Sequence, residues 1–239
     1  VFGWRSIFWV SVPLTLCAMV LAFLKVKGEW AEARDERFDL PGSILLGAGL
    51  IPLVYGFSKL PSATGVVLTV IGAAVLTWFV SYEARSAHPV LDVKLFRENR
   101  IFAFSNLAAL VNYSATFAVG FLLSLYLQYI KGLPVHQAGL VLIAQPAVMA
   151  MVSPFTGRLS DRVEPRVLAS AGMTVTAVGL LALSLLGPGT PLAYTTAVLA
   201  FIGFGLGLFS SPNTNAVMGS VDRRMFGTAS ATLGTMRLS

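Results

Sequence analysis

The chain has 239 residues, of which 56% are hydrophobic and 12% charged, with a mean hydropathy of +0.77; soluble domains carry about 25% charged residues, so this composition excludes an ordinary soluble domain and places the chain in the membrane class. The formal net charge of +6 comes from cations lying in the gaps between apolar runs, which is the pattern of membrane orientation and not of nucleic-acid binding. The single cysteine, Cys17, lies in an apolar run and reads as a small packing residue; an internal disulfide and a cysteine metal cluster are excluded, and neither metal nor cofactor is expected.

Crossing a hydrocarbon core of about 30 Å takes roughly 20 apolar residues as helix, because lipid leaves no backbone group a partner outside the segment. Seven stretches qualify in chain order: Ile7–Leu24, Leu40–Phe57, Gly65–Tyr82, Ile101–Ile130, Ala138–Thr156, Val167–Leu186 and Leu192–Met218. The fourth and seventh exceed one crossing, so tilt or extension beyond the bilayer is expected. An eighth helix is expected to begin near Gly227. The chain opens on Val1, shows no cleavable leader and stops at Ser239 within a helical pattern, so it is expected to be an internal fragment.

Basic residues alternate from gap to gap. The gap Lys25–Asp39 holds Lys25, Lys27, Arg34 and Arg37, and the next holds only Lys59. Glu83–Arg100 holds Arg85, Lys94, Arg97 and Arg100, and the next only Lys131. Arg158, Arg162 and Arg166 follow, then a gap without cations at Gly187-Pro188-Gly189-Thr190-Pro191, then Arg223 and Arg224. This is the order the positive-inside rule predicts for consecutive spans, with the rich gaps cytoplasmic and Val1–Ser6 outside. Arg5 is an exception. Trp4, Phe8 and Trp9, Trp78 and Tyr82, and Tyr126 and Tyr129 fall near span ends, where amphipathic rings favour the headgroup level.

No ionisable residue lies deep inside the seven spans, so no proton relay is visible in them. His88 and His136 read as solvated loop residues, and Asp39 as an N-cap of the second span. Uncharged polar residues remain: Asn106, Asn112, Tyr113, Ser114 and Thr116 in the fourth span, Gln128 near its end, Gln145 in the fifth, and Asn213 and Asn215 in the seventh. Helical spacing puts Asn106 and Tyr113 on one face and Asn112 and Thr116 on another. Asn112, Tyr113 and Gln145 are the candidate lining of a cavity; the alternative is hydrogen bonding between helices. Pro52, Pro146, Pro154 and Pro212 favour kinks, and Pro146 beside Gln145 can expose carbonyls to a cavity. Gly203, Gly205 and Gly207 read as a close-packing face, with Gly203 and Gly207 in GxxxG register. No catalytic constellation is present, and the chain is not expected to be an enzyme.

In the loop Gly157-Arg158-Leu159-Ser160-Asp161-Arg162-Val163-Glu164-Pro165-Arg166, Asp161 can cap the next helix or pair with Arg162 or Arg166. The loop resembles the motif G-x-L-a-D-r-x-G-r-k that the major facilitator superfamily repeats between the second and third helices of each half. Gly157, Leu159, Asp161, Arg162 and Arg166 match, while Glu164 replaces the second glycine and Pro165 a basic residue. Further segments resemble the fourteen-span drug:proton antiporters within that superfamily. Trp4-Arg5-Ser6-Ile7-Phe8-Trp9-Val10-Ser11-Val12-Pro13 is similar to W-R-W-I-F-x-I-N-x-P, departing at Ser6 and Ser11. Arg37-Phe38-Asp39 with Gly42 is similar to the start of the seventh span. Pro89-Val90-Leu91-Asp92-Val93-Lys94-Leu95-Phe96-Arg97 is similar to P-x-L-D-L-x-L-F-R. Tyr126-Leu127-Gln128 with Gly132, Ala138-Gly139-Leu140 with Pro146, and Gly205-Leu206-Gly207-Leu208 with Pro212, Gly227 and Ala229 continue the series.

The resemblance implies an all-α membrane protein with a partial major facilitator fold, seven transmembrane helices and the start of an eighth. Residues 1–39 would hold the last helix of the N-terminal half and a cytoplasmic loop. Residues 40–100 would hold two linker helices and a loop, and residues 101–239 the first four helices of the C-terminal half and the start of a fifth. It implies proton-coupled efflux of drugs or other amphipathic compounds by alternating access at the cell membrane, with the loop as a conformational switch. The implied partners are a small-molecule substrate, protons, the lipid bilayer and helices of the same protein outside this chain, with no nucleic acid. The alternatives are a metabolite or siderophore exporter of the same superfamily and a seven-helix membrane receptor.

Overall fold

The computed structural model describes residues 6–25, 39–86, 89, 91 and 93–238. Trp4, Arg5, Lys27, Arg34, Arg37 and His88 lie outside the described residues. The chain divides into two units, Val1–Asp35 and Glu36–Ser239.

The first unit contains helix α1, Ser6–Lys25, with Pro13 inside it. Its apolar part includes Ser11–Lys25. Cys17, expected to pack, is exposed on this unit taken by itself, as is Trp9.

The second unit begins with a pair of helices, α2 (Leu40–Ser58) and α3 (Ala63–Glu83), which pack on each other. Small residues allow backbone to meet backbone. A Cβ on Gly56 would lie 2.5 Å from the Thr69 nitrogen, and one on Gly72 would lie 2.5 Å from the Leu53 nitrogen. Asp39 caps α2 as expected, its Oδ1 accepting from the Gly42 N–H at 2.8 Å. Beside it Glu83, 1% exposed at the end of α3, accepts from the Leu91 N–H at 3.2 Å. In the sequence alone that carboxylate marks only the edge of a gap.

A short helix α4 (Val93–Glu98) leads through Asn99 to α5 (Arg100–Leu125), which ends in a π-helical turn, Tyr126–Ile130. The fifth expected span is interrupted at Ile143, between α6 (Val135–Leu142) and α7 (Ala144–Leu159). Pro146 stands just past the interruption and has no N–H for the carbonyl four residues back, so the first turn of α7 restarts instead of continuing α6. His136 lies in the first turn of α6, exposed, and not in a loop. Helices α8 (Pro165–Leu183) and α9 (Leu192–Gly219) follow, then a short 3₁₀ turn and α10 (Phe226–Leu238). Among the described residues six helical segments are long and apolar enough to cross a membrane: Leu40–Ser58, Ala63–Glu83, Arg100–Ile130, Val135–Leu159, Pro165–Leu183 and Leu192–Gly219. All the described secondary structure is helical.

Helix α9 carries the core of this unit. It packs on α7 and α8 and touches α5, α6 and α10. Its three glycines divide the work. A Cβ on Gly203 would strike the Gln145 carbonyl oxygen, and one on Gly207 would lie 2.8 Å from Val152 Cβ, so both face α7. A Cβ on Gly205 would lie 2.7 Å from Thr176 Oγ1, so it faces α8. Gly172 on α8 answers, its missing Cβ 2.6 Å from the Gly205 carbonyl. The expected close-packing face is present, but it serves two neighbours and not one.

Candidate functional site

The polar residues of α5 form one stripe. Asn106 and Asn112 are buried with Phe102, Ala109 and Thr116, so the two faces expected from spacing merge into a single face against the core. Asn106 Nδ2 donates back to the Phe102 carbonyl at 2.9 Å, and Thr116 Oγ1 donates to the Asn112 carbonyl at 2.9 Å. Asn112 keeps its amide nitrogen buried without an acceptor.

Tyr113 joins three helices. Its ring packs edge-on to Phe209 of α9, with centroids 6.1 Å apart. Its hydroxyl donates to Ser210 Oγ at 3.0 Å. Over the same ring lies the guanidinium of Arg237 from α10, with Cζ 5.5 Å from the ring centroid. Arg237 Nη2 donates to Thr214 Oγ1 at 2.5 Å, and Thr214 Oγ1 in turn donates to the Ser210 carbonyl at 2.8 Å. The site is therefore a cation held by an aromatic face on α5 and a hydroxyl on α9.

Arg237 was missed in the sequence because the run from Phe226 is too short to count as a span. Yet it lies eleven residues into α10, about 16 Å along the axis at 1.5 Å per residue. Side chains on a helix lean toward its start, so the charge sits somewhat nearer the basic-rich end. Ser210 and Thr214 lie in the last turns of α9 before that same end.

Gln145 does not join Asn112 and Tyr113. Its backbone meets α9 at Gly203, seven residues or about 10 Å along the axis from the Ser210 that Tyr113 reaches. Its side chain makes no hydrogen bond among the described residues. The expected lining is thus a pair on α5, extended by Ser210, Thr214 and Arg237, with Gln145 at a different level.

The motif residues 157–166 are less a loop than two helix ends. Gly157 and Leu159 belong to α7, Arg166 to α8, and Ser160–Glu164 alone turn between them. Gly157 lacks a side chain where one would lie 2.8 Å from Ser211 Oγ of α9. Ser160 is buried and accepts from Asn215 Nδ2 at 2.6 Å, tying the turn to α9. Thr156, also buried, donates to the Gly207 carbonyl at 2.7 Å. Asp161 and Arg162 are exposed. Contrary to expectation, Asp161 neither caps α8 nor pairs with Arg162 or Arg166. The ion pair at this turn joins Arg166 Nε to Glu164 Oε1 at 3.3 Å, both side chains largely in solvent. Glu164 occupies the N-cap position of α8 without a side-chain bond to it.

The opposite, basic-poor end is clamped. Lys131 Nζ donates to the carbonyls of Pro188 at 2.6 Å and Thr190 at 2.5 Å, and the Tyr126 hydroxyl donates to the Gly187 carbonyl at 2.8 Å. Tyr126 thus points inward at the span end, while Tyr129 is 83% exposed.

The sequence matches the family model of the Major Facilitator Superfamily over residues 1–239. It is 29% identical over 236 residues to the riboflavin transporter RibZ of Clostridioides difficile, covering 99% of this chain and 51% of that protein. It is 31% identical over 241 residues to the uncharacterized MFS-type transporter YhcA of Bacillus subtilis, covering 99% of this chain and 45% of that protein. With the multidrug resistance protein Stp of Mycobacterium tuberculosis it shares 29% identity over 243 residues, covering 98% of this chain and 44% of that protein. The chain spans about half the length of the curated relatives it matches.

Proposed function

Because the chain belongs to the Major Facilitator Superfamily, we propose that it works as part of a multi-pass secondary transporter of the cell membrane that exports drugs or other amphipathic compounds in exchange for protons. The observation that carries this reading is the match of the whole chain to the superfamily, together with relatives named for multidrug resistance and for tetracenomycin C resistance and export. The subfamily is the fourteen-span drug:proton antiporter group, whose ordered segments recur here from Trp4 to Ala229.

In this reading α1 to α10 supply the sixth to twelfth spans and the beginning of another. Helices beyond this chain supply the proton-coupling acid. Asn112 and Tyr113 line the substrate path, with Gln145 at another level of it. The turn bearing Gly157, Leu159, Asp161, Arg162 and Arg166 biases the alternation between inward- and outward-open states. The exposed Asp161 is available to a partner helix end in one of two states, and a bond present in one state alone shifts their balance. A metabolite substrate is the second reading, favoured by the similarity to a protein named a riboflavin transporter.

Everted membrane vesicles from cells producing the intact protein test the export reading. Energised vesicles are expected to accumulate ethidium, and a protonophore to abolish the accumulation. Accumulation that persists after collapse of the proton gradient would contradict proton coupling.

A further inference from the structure

We propose that Arg237, framed by Tyr113, Ser210 and Thr214, is a subsite for an oxyanion, specifically a carboxylate brought to membrane depth. The proposal rests on the transporter reading above. Arginine keeps its charge at any accessible pH, so burial cannot be relieved by loss of a proton as it can for lysine. A permanent cation packed among membrane-spanning helices, as Arg237 of α10 is against α5 and α9, faces the bundle interior or a cavity and is matched by a counter-charge. Among the described residues no carboxylate forms an ion pair with Arg237. What it has is the face of Tyr113 and one hydroxyl, Thr214.

The donor count shows what is lacking. A guanidinium carries five N–H donors. One of them, on Nη2, is used on Thr214. Nε is enclosed without an acceptor, and among the described residues Nη1 makes no hydrogen bond. The Nη1–Nη2 end is the edge that takes a carboxylate through two parallel bonds. On α5 and α9 the amide nitrogens of Asn112 and Asn213 are buried without partners. One acceptor, Asn106 Oδ1, is also unpaired, but it lies two turns from Tyr113 toward the basic-rich end. Thr214 already gives its own proton to the Ser210 carbonyl, so its oxygen can only accept from the cation and holds the guanidinium in place.

The carboxylate has two possible sources, the acid group of a transported molecule or an acidic side chain of the same protein. Vesicles carrying the intact protein separate them when loaded with two probes, carboxyfluorescein as the anion and ethidium as the cation. For a substrate acid, R237Q lowers carboxyfluorescein transport about tenfold or more and leaves ethidium transport within about twofold. Thr214→Val raises the carboxyfluorescein KM in the same direction. For an acid of the protein itself, R237Q loses both probes and R237K restores both. Unchanged transport of both probes in R237Q overturns the proposal. So does loss of both without rescue by R237K, or in step with a lowered melting temperature, because Arg237 is then a structural residue. Should wild-type vesicles move neither dye, the export reading fails by itself. The subsite is then decided by the melting temperature of the purified intact protein. Carboxyfluorescein raises it in wild type and not in R237Q, or the proposal is wrong.

Discussion

Gly157 and Asp161 show two ways a residue can matter at one turn. Gly157 is constrained by its closeness to α9, where a Cβ would lie 2.8 Å from the Ser211 hydroxyl and any larger side chain would press on α9 itself. Asp161 is exposed, and among the described residues its carboxylate has no partner. The two make opposite predictions. Gly157→Val forces α7 and α9 apart and lowers the melting temperature of the intact protein, by an amount matching about 1–3 kcal/mol of overpacking. Asp161→Asn leaves the melting temperature unchanged but cuts transport about tenfold, the scale of a coupling between states. Transport at the wild-type rate with normal expression would reduce Asp161 to an orientation signal. At this scale the sequence was legible where chemistry alone decides. Asp39 is the N-cap its position announced, and Tyr113 lies in a polar cluster. Arg237 was invisible because its importance comes from a ring on α5 and a hydroxyl on α9, neither near it in sequence.

Helix α9 shows how spacing of small residues sets packing at the scale of an element. Gly203 and Gly207 lie four apart and meet α7, while Gly205 lies between them and meets α8. A side chain added at Gly203 meets only the backbone of Gln145, which cannot give way cheaply, whereas at Gly205 and Gly207 the first atoms met belong to the Thr176 and Val152 side chains. Gly203→Leu is expected to abolish the folded protein as judged by size-exclusion chromatography in detergent. Gly219→Ala, where nothing lies within 4 Å of the added carbon, serves as the control and is expected to elute as wild type. If Gly203→Leu elutes as wild type, the close approach of α7 and α9 is wrong. Apolar length and glycine spacing made α9 readable in advance. The interruption at Ile143 and the π turn at Tyr126–Ile130 were not, because hydropathy is blind to backbone hydrogen-bond register. Pro146 predicted a bend, and the break falls three residues before it because a proline disturbs the turn that precedes it.

Over the second unit as a whole, the two ends of α5 are tied to other elements at opposite ends of α9. At the basic-rich end Asn99 Nδ2 donates to the Ser220 carbonyl at 2.5 Å; at the other, Lys131 grips the turn before α9. Lys131→Met is expected to speed amide exchange at Gly187 and Thr190 about tenfold or more, since charge-assisted bonds are lost. Exchange at the wild-type rate would show that the clamp carries no weight. The order of these elements was legible from apolar runs and from the alternation of cations between them, because lipid imposes both. What the helices enclose was not, because a path for substrate is made of side chains from several helices. Liposomes containing only these 239 residues are expected to show no proton-coupled dye movement.

Proton-driven export through these helices is decided by reconstitution. Purified intact protein is reconstituted into liposomes with an internal pH dye, and ethidium is added under an imposed pH gradient. Ethidium movement coupled to an opposing proton flux is the predicted result. Ethidium movement without proton flux, or proton flux indifferent to ethidium, would contradict the account.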